Sequence, residues 1–231
     1  MSKNNPWQTI LDIAGRYKAW AFLDLETTGL QQPIDVVQLG IERGTFESGA
    51  WVSSIALSAI VEPTVEVEVE AAGVHGLGTP EAGQRATGAM HGLGELDEPP
   101  MVLIALPKVV SWSAAVMHAQ AGIIDDSPLD VVACWGTYDA EVLTALGERG
   151  PTLAFGCPVI DLQALHAATL APSPDGLRRR GSLERAAVRF YCQPPGRRQS
   201  HRALADAMLA RRVWAEMLRD AQHVVDAMAS R

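Results

Sequence analysis

Asp24 and Glu26 stand two positions apart at the end of an apolar segment, Phe22-Leu-Asp-Leu-Glu-Thr-Thr-Gly-Leu30. On an extended strand side chains alternate between faces, so the two carboxylates point one way while Leu23 and Leu25 point the other. Two anions held that close in a poorly solvated place are costly through desolvation unless a cation sits between them, and a divalent metal is the natural candidate. An isolated Asp-x-Glu is more often a solvated pair on a sheet edge, so the pair gains meaning only from its partners. Asp139 follows the apolar run Val131-Val-Ala-Cys-Trp135 and a turn at Gly136, where it could cap a helix or face a ligand at a strand end. Asp206 falls in register with Leu209, Val213 and Met217 on the apolar stripe of a long helix, and a carboxylate there needs a cation, an arginine or a proton. His201 stands five residues earlier. With Ser200 as N-cap it is predicted in the first helical turn, and an unperturbed pKa of about 6.5 suits it to general-base work.

These residues need elements to bring them together. Residues 19–26 read as a buried first strand, 34–42 as a second and 50–61 as a third, joined by links short enough for an antiparallel meander. Residues 129–135 form a fourth strand, 138–148 a helix and 158–161 a fifth strand, so the last two strands run parallel through a right-handed crossover. Residues 101–120 are apolar with some helical spacing, interrupted at Pro107. Helices are expected over 181–191 and 200–229, separated by Pro194-Pro195-Gly196. Residues 71–100 are rich in glycine and proline and hold a near-repeat, Val74-His-Gly-Leu-Gly78 and Met90-His-Gly-Leu-Gly94. Two copies are too few for a solenoid. The expected organisation is an N-terminal extension at 1–18 and a single α/β domain over 19–231 with an insertion near 76–100.

At 231 residues, 48% hydrophobic and 20% charged, the chain has the balance of a globular domain with a full core. No apolar run reaches the roughly 20 residues of a membrane span, and the start lacks a signal-peptide pattern, so a cytoplasmic location without membrane partners is expected. Cys134, Cys157 and Cys192 are widely spaced and read as reduced core residues. The net charge of −8 hides an asymmetry: residues 176–220 hold eleven arginines and four acids, a balance of +7, and the rest of the chain carries −15. A basic stretch on an acidic body suits a phosphate-binding rim, or a set of solvated helix faces.

Three segments together carry a family resemblance: Phe22-Leu-Asp24-Leu-Glu26-Thr-Thr-Gly-Leu30, Cys134-Trp-Gly-Thr-Tyr-Asp139 and His201-Arg-Ala-Leu-Ala-Asp206-Ala207. In this order they resemble the three motifs of the DEDDh exonucleases, the DnaQ-like group of the RNase H-like superfamily. The likeness spans roughly residues 19–215. It implies an RNase H-like fold, a central mixed five-stranded sheet with strands 1–3 antiparallel and strands 4–5 parallel to strand 1, flanked by helices. Trp135 stands where the proofreading branch usually has Asn, and Trp-Gly-x-Tyr-Asp resembles the branch that trims RNA 3′ ends. Val74-His-Gly-Leu resembles a proofreading segment.

The resemblance implies a 3′-to-5′ exonuclease acting on single-stranded DNA or RNA ends, with DNA favoured and RNA 3′-end trimming as the alternative. Asp24, Glu26, Asp139 and Asp206 would hold two Mg²⁺ or Mn²⁺ ions about 4 Å apart, and His201 would take the proton of the attacking water. Nucleoside 5′-monophosphates would be released. Thr27, Thr28 and Leu30 match positions that meet the terminal nucleotide, and Arg197, Arg198 and Arg202 are candidates for contacting the polymer. A silent nucleic-acid-binding or scaffold module, and a metal phosphohydrolase acting on mononucleotides, are the readings from other classes. A homodimer or a polymerase or repair complex would each be compatible with the chain.

Overall fold

The computed structural model describes residues 5–47, 50–77, 100–106, 108–124, 129–148, 150–153, 155–170, 181–194 and 201–230. Strand β1 (Ala19–Thr27) lies at the centre of the sheet, antiparallel to β2 (Val36–Glu47), which pairs antiparallel with β3 (Ala50–Ile60). A short strand β4 (Leu103–Ala105) adds parallel to β3, while β5 (Val131–Cys134) runs parallel to β1 and β6 (Val159–Asp161) parallel to β5. The order is β4-β3-β2-β1-β5-β6. The antiparallel meander and the two parallel strands after it stand as the sequence predicted. β4 corrects the expected five strands to six. Its three residues are too few to show a period, and the apolar segment around it turns helical only at Trp112, where Ser111 caps the helix.

Helices cover both faces: α1 (Pro6–Arg16), α2 (Val69–His75), α3 (Trp112–Ala119) running into a π-turn over Gln120–Ile124, α4 (Tyr138–Gly147), α5 (Leu162–Thr169), α6 (Leu183–Arg189) and α7 (Ala203–Ala229). None of them is long and apolar enough to cross a membrane. Within the stretch expected as an extension, Asn5 caps α1, Pro6 opens it, and fully buried Ile10 joins a core with α7. The second copy of the near-repeat, 90–94, and most of the expected insertion lie outside the described residues.

Alternation along β1 splits the core. Ala21, Leu23 and Leu25 pack on one face with Leu39, Ile41, Val142 and Leu146. Trp20 and Phe22 pack on the other with Val131, Leu162 and Trp214. Trp20 stacks on Phe22 at 5.9 Å and meets Trp214 at 5.3 Å, all three fully buried. Each such side chain contributes on the order of 2–3 kcal/mol through burial. The face that presents Trp20 and Phe22 presents Asp24 and Glu26 farther along. Helix α7 runs antiparallel to β1 over this face: eight residues of helix from Asp206 to Trp214 rise about 12 Å, and four residues of strand from Trp20 to Asp24 rise about 13 Å. The aromatic stack therefore sets where the start of α7 meets the two carboxylates.

Gly40 makes that meeting close. It pairs with Asp24 across β1 and β2, and a Cβ on it would lie 2.1 Å from the Leu204 nitrogen and 2.3 Å from the Ala203 carbonyl carbon. Both neighbours are backbone and cannot rotate away. Gly40→Ala should cost about 1–3 kcal/mol in denaturant unfolding, as overpacking of a tight core does, and should weaken binding of divalent cations by displacing the start of α7. Wild-type stability together with wild-type cation affinity would refute this role.

Candidate functional site

Four carboxylates and a histidine meet where β1 ends, α4 begins and α7 begins. Asp24 and Glu26 come from β1, Asp139 from the first turn of α4 and Asp206 from the first turn of α7. Asp206 is 1% exposed, Glu26 and Asp139 are buried, and Asp24 is half-buried. Ligand atoms of Glu26, His201 and Asp206 all lie within 4.8 Å of one another. The ladder shifts register between Glu26 and Thr27, a bulge that re-aims the end of β1 at the site.

The acids pay for their proximity. Burial, then Asp139, Asp206 and Glu26, push Asp24 well above the usual carboxylate range. Glu26 is pushed to about 8 by burial and Asp206, against the pull of Arg202. Burial raises Asp139 to about 7 although the Leu25 backbone hydrogen-bonds to it. Thr137, not Asp139, occupies the N-cap position of α4, and Asp139 follows in the first turn. An all-oxygen set whose members resist ionising together fits a hard divalent cation, with the imidazole of His201 beside it.

His201 lies outside the helix, correcting its expected place in the first turn. Its φ is +50, in the left-handed region, and Arg202 follows in an extended conformation. The helix starts at Ala203, whose N–H donates to Gln38 Oε1 at 3.2 Å. Arg202 Nη1 donates to the carbonyls of His75 and His201. Its guanidinium thus ties two loops together beside Glu26. Burial lowers the His201 pKa, Glu184 raises it and Arg202 lowers it, so the ring stays neutral near neutral pH and can accept a proton.

A groove of about 300 Å³ opens beside Glu26, lined by Thr27, Gly29, Leu30, Val74, His75 and Tyr138 among others. Of the three residues expected to meet a terminal nucleotide, Thr27 and Leu30 line it, and Leu30 is 78% exposed. Thr28 is not brought to it: the side chain is buried and Thr28 Oγ1 accepts the Asp35 N–H at 2.9 Å. Arg197 and Arg198 lie outside the described residues. Arg211, counted in the basic stretch, is buried, with Nε 3.2 Å from Glu42 and its guanidinium over Trp51.

Two residues of the groove were missed by the sequence reading. Tyr138 OH donates to the Gly29 carbonyl at 2.7 Å and lies 3.0 Å from Thr27 Oγ1, pinning the turn that carries Leu30. His75 accepts the Leu77 N–H at Nδ1, which leaves its Nε2–H to donate to the Thr27 carbonyl at 3.1 Å. The signal for Tyr138 was its place in Trp135-Gly-Thr-Tyr-Asp139, and for His75 its place in the near-repeat.

The sheet and its helices have the architecture of DEDDh nuclease domains. The chain is similar to the nuclease domain of 3′hExo, a DEDDh family member bound to rAMP, with a TM-score of 0.58 at 12% identity over 88% of this chain and 93% of that one. It is similar to exonuclease X in complex with 5′-overhanging duplex DNA, with a TM-score of 0.51 at 16% identity over 87% and 92%. A third likeness, at TM-score 0.58 and 11% identity, is to a 3′-exonuclease in 3′-end-specific recognition of a histone mRNA stem-loop, over 88% of this chain and 64% of that one. At these identities the likeness speaks to the fold. No family model matches the sequence, and no curated protein does.

In the folded chain Glu26 titrates at about 8 and Asp139 at about 7, against 4.5 and 3.8 for the unperturbed groups. The fold therefore binds these protons more tightly than the unfolded chain, so their contribution to stability is present below about pH 4 and is lost as pH rises through about 7 to 8. Melting temperatures in chelator should fall between about pH 5 and pH 8, and Mg²⁺ or Mn²⁺ should flatten the slope by supplying the compensating charge. A melting temperature that rises across this window in chelator would contradict the electrostatics described.

Proposed function

We propose that the protein is a 3′-to-5′ exonuclease that hydrolyses the terminal phosphodiester of single-stranded nucleic acid and releases nucleoside 5′-monophosphates. The observation that carries this reading is the convergence of Asp24, Glu26, Asp139, Asp206 and His201 beside a groove of about 300 Å³. That volume is at the lower end for small-ligand sites, suited to one terminal nucleoside. The structural neighbours bound to rAMP and to DNA support a nucleic-acid substrate.

In the proposed reaction the four acids hold two divalent ions, Mg²⁺ or Mn²⁺, which supply a nucleophile of lowered pKa and stabilise charge on the leaving 3′ oxygen. Asp24, on which Asp139, Asp206 and Glu26 all act electrostatically, would hold the ions together with them. Neutral His201 accepts the proton of the attacking water. Thr27 and Tyr138 hold the turn at Gly29, and exposed Leu30 wedges against the terminal base. Thr28 acts one step back, bracing this turn through Asp35. Arg202 holds the His201 loop against the His75 loop, and Arg197 and Arg198 are proposed to contact the polymer backbone. DNA is the first substrate to test and RNA the second.

A 5′-labelled single strand incubated with Mn²⁺ or Mg²⁺ should yield a ladder shortening from the 3′ end, and matched DNA and RNA strands will rank the two polymers. Asp24→Ala should fall to background. The absence of a ladder on every strand, or wild-type cutting by Asp24→Ala, would sink the proposal. His201→Ala should lose about 10²–10⁴-fold in turnover while calorimetry still shows cation binding. Equal loss of cation binding in that variant would make His201 a ligand instead of the base.

A further inference from the structure

Helix α6 ends in a left-handed turn that is built around the wrong residue for its geometry. The Cys192 N–H donates to the Ala187 carbonyl at 2.8 Å and the Tyr191 N–H to the Val188 carbonyl at 3.2 Å, the paired bonds of a Schellman motif. Tyr191 occupies the left-handed position of that motif, with φ +57, where glycine is usual and a Cβ is penalised. No packing offsets this, because Tyr191 is 95% exposed. A large aromatic ring kept in a strained position and presented to solvent points to something outside the chain that uses it.

Its surroundings say what that is. Arg185 and Arg189 are exposed and four residues apart on α6, hence on one face. The Arg189 guanidinium is held in place, with Nη1 3.2 Å from His166 Nε2 and its carbon 5.0 Å above the Phe190 ring. Arg212 and Arg219 of α7 act electrostatically on Cys192, the residue next to Tyr191, where they oppose Glu216. Arg219 is paired with Glu216 at 2.7 Å. An exposed aromatic ring at the end of a helix that carries exposed guanidinium groups is a pairing that holds single-stranded nucleic acid, the ring stacking on a base and the charges following the phosphates. The opposite end of α6 adjoins the site: Trp135, four residues before Asp139, donates its Nε1–H at 3.2 Å to the carbonyl of Gly181, two residues before the helix. Seven residues of helix separate the two ends by on the order of 10 Å.

Resting on the exonuclease reading for the position of the 3′ end, we propose that Tyr191 is a stacking platform for the body of a single-stranded nucleic acid whose terminal nucleotide lies at the carboxylate site. The strand leaves the site on the α6 side, away from the groove that takes its last nucleoside. Arg185 and Arg189 neutralise its backbone as it passes.

The test is equilibrium binding by fluorescence anisotropy in chelator, with oligothymidylate of about twelve residues and with the trimer, repeated with oligouridylate. Tyr191→Gly should weaken binding of the long strand about fivefold or more, leave the trimer unchanged, and raise the melting temperature because glycine relieves the left-handed strain. Tyr191→Phe should bind like wild type. Tyr191→Asn, also tolerant of that conformation, repeats the comparison should the glycine variant fail to fold. Wild-type affinity of the folded glycine or asparagine variant for both long strands overturns the proposal, as does equal weakening of the trimer. The binding comparison needs no turnover, so a protein that cuts no strand removes the exonuclease reading without deciding this one.

Discussion

The repulsion among Asp24, Glu26, Asp139 and Asp206 is the constraint to which the rest of the structure answers. Burial opposes ionising Asp24, Glu26 and Asp139, like charge adds to this at Asp24 and Glu26, and the acids cannot drift apart because three separate elements hold them. Asp24 and Glu26 sit on the central strand, where both pair with β2, just beyond the residues 20–22 that also pair with β5. Asp206 is held by α7, whose position is set about two turns away by Trp214 against Trp20. A flexible scaffold would let the carboxylates drift apart into water. The rigid one keeps them together and transfers the cost to whatever cation neutralises them.

Backbone contact, more than side-chain contact, delivers this rigidity near the site. Gly40 has no Cβ, so α7 can begin directly on β2, and Gln38 two residues earlier supplies the acceptor for the first helical N–H. Both point to the same face of the strand, as the strand period requires. Arg202, Tyr138 and His75 then bond to main-chain carbonyls of His201 and Gly29 in loops, of His75 at the end of α2 and of Thr27 at the end of β1. These bonds fix loops that would otherwise be free, at a place where groove and acids must stay in register.

Much of this could be read in the sequence where a period or a short spacing carried the information. Asp24 and Glu26 followed from strand alternation, and Asp206 from its stripe with Leu209, Val213 and Met217, all buried as expected. Asp139 was ambiguous because the first residues of a helix favour acids for capping and for ligand binding alike. His201 was misplaced since the start of α7 depends on Gln38, a residue 165 positions away. The count of arginines could not show that Arg211 turns inward to Glu42 and Trp51, because charge in a sequence carries no depth. Strand β4 was missed because its three residues lie within an apolar segment of helical spacing, and no spacing showed that the Thr28 side chain turns to Asp35 across a loop.

Among the described residues, His201 and Tyr191 are the two with positive φ that are not glycine. They flank the break between α6 and α7, within the stretch of highest positive charge. His201 can be accounted for by the site: on a helix extended back to Ser200 its ring would follow the helical surface, whereas the left-handed turn frees it to approach Glu26 and Asp206. The strain is then part of the site's construction, supported by the bonds that Arg202 makes on either side. Tyr191 has the same backbone cost without an internal beneficiary, since its motif would close better with glycine. One cost is repaid inside the fold and the other is not, so the balance at Tyr191 must be sought in what binds to that surface.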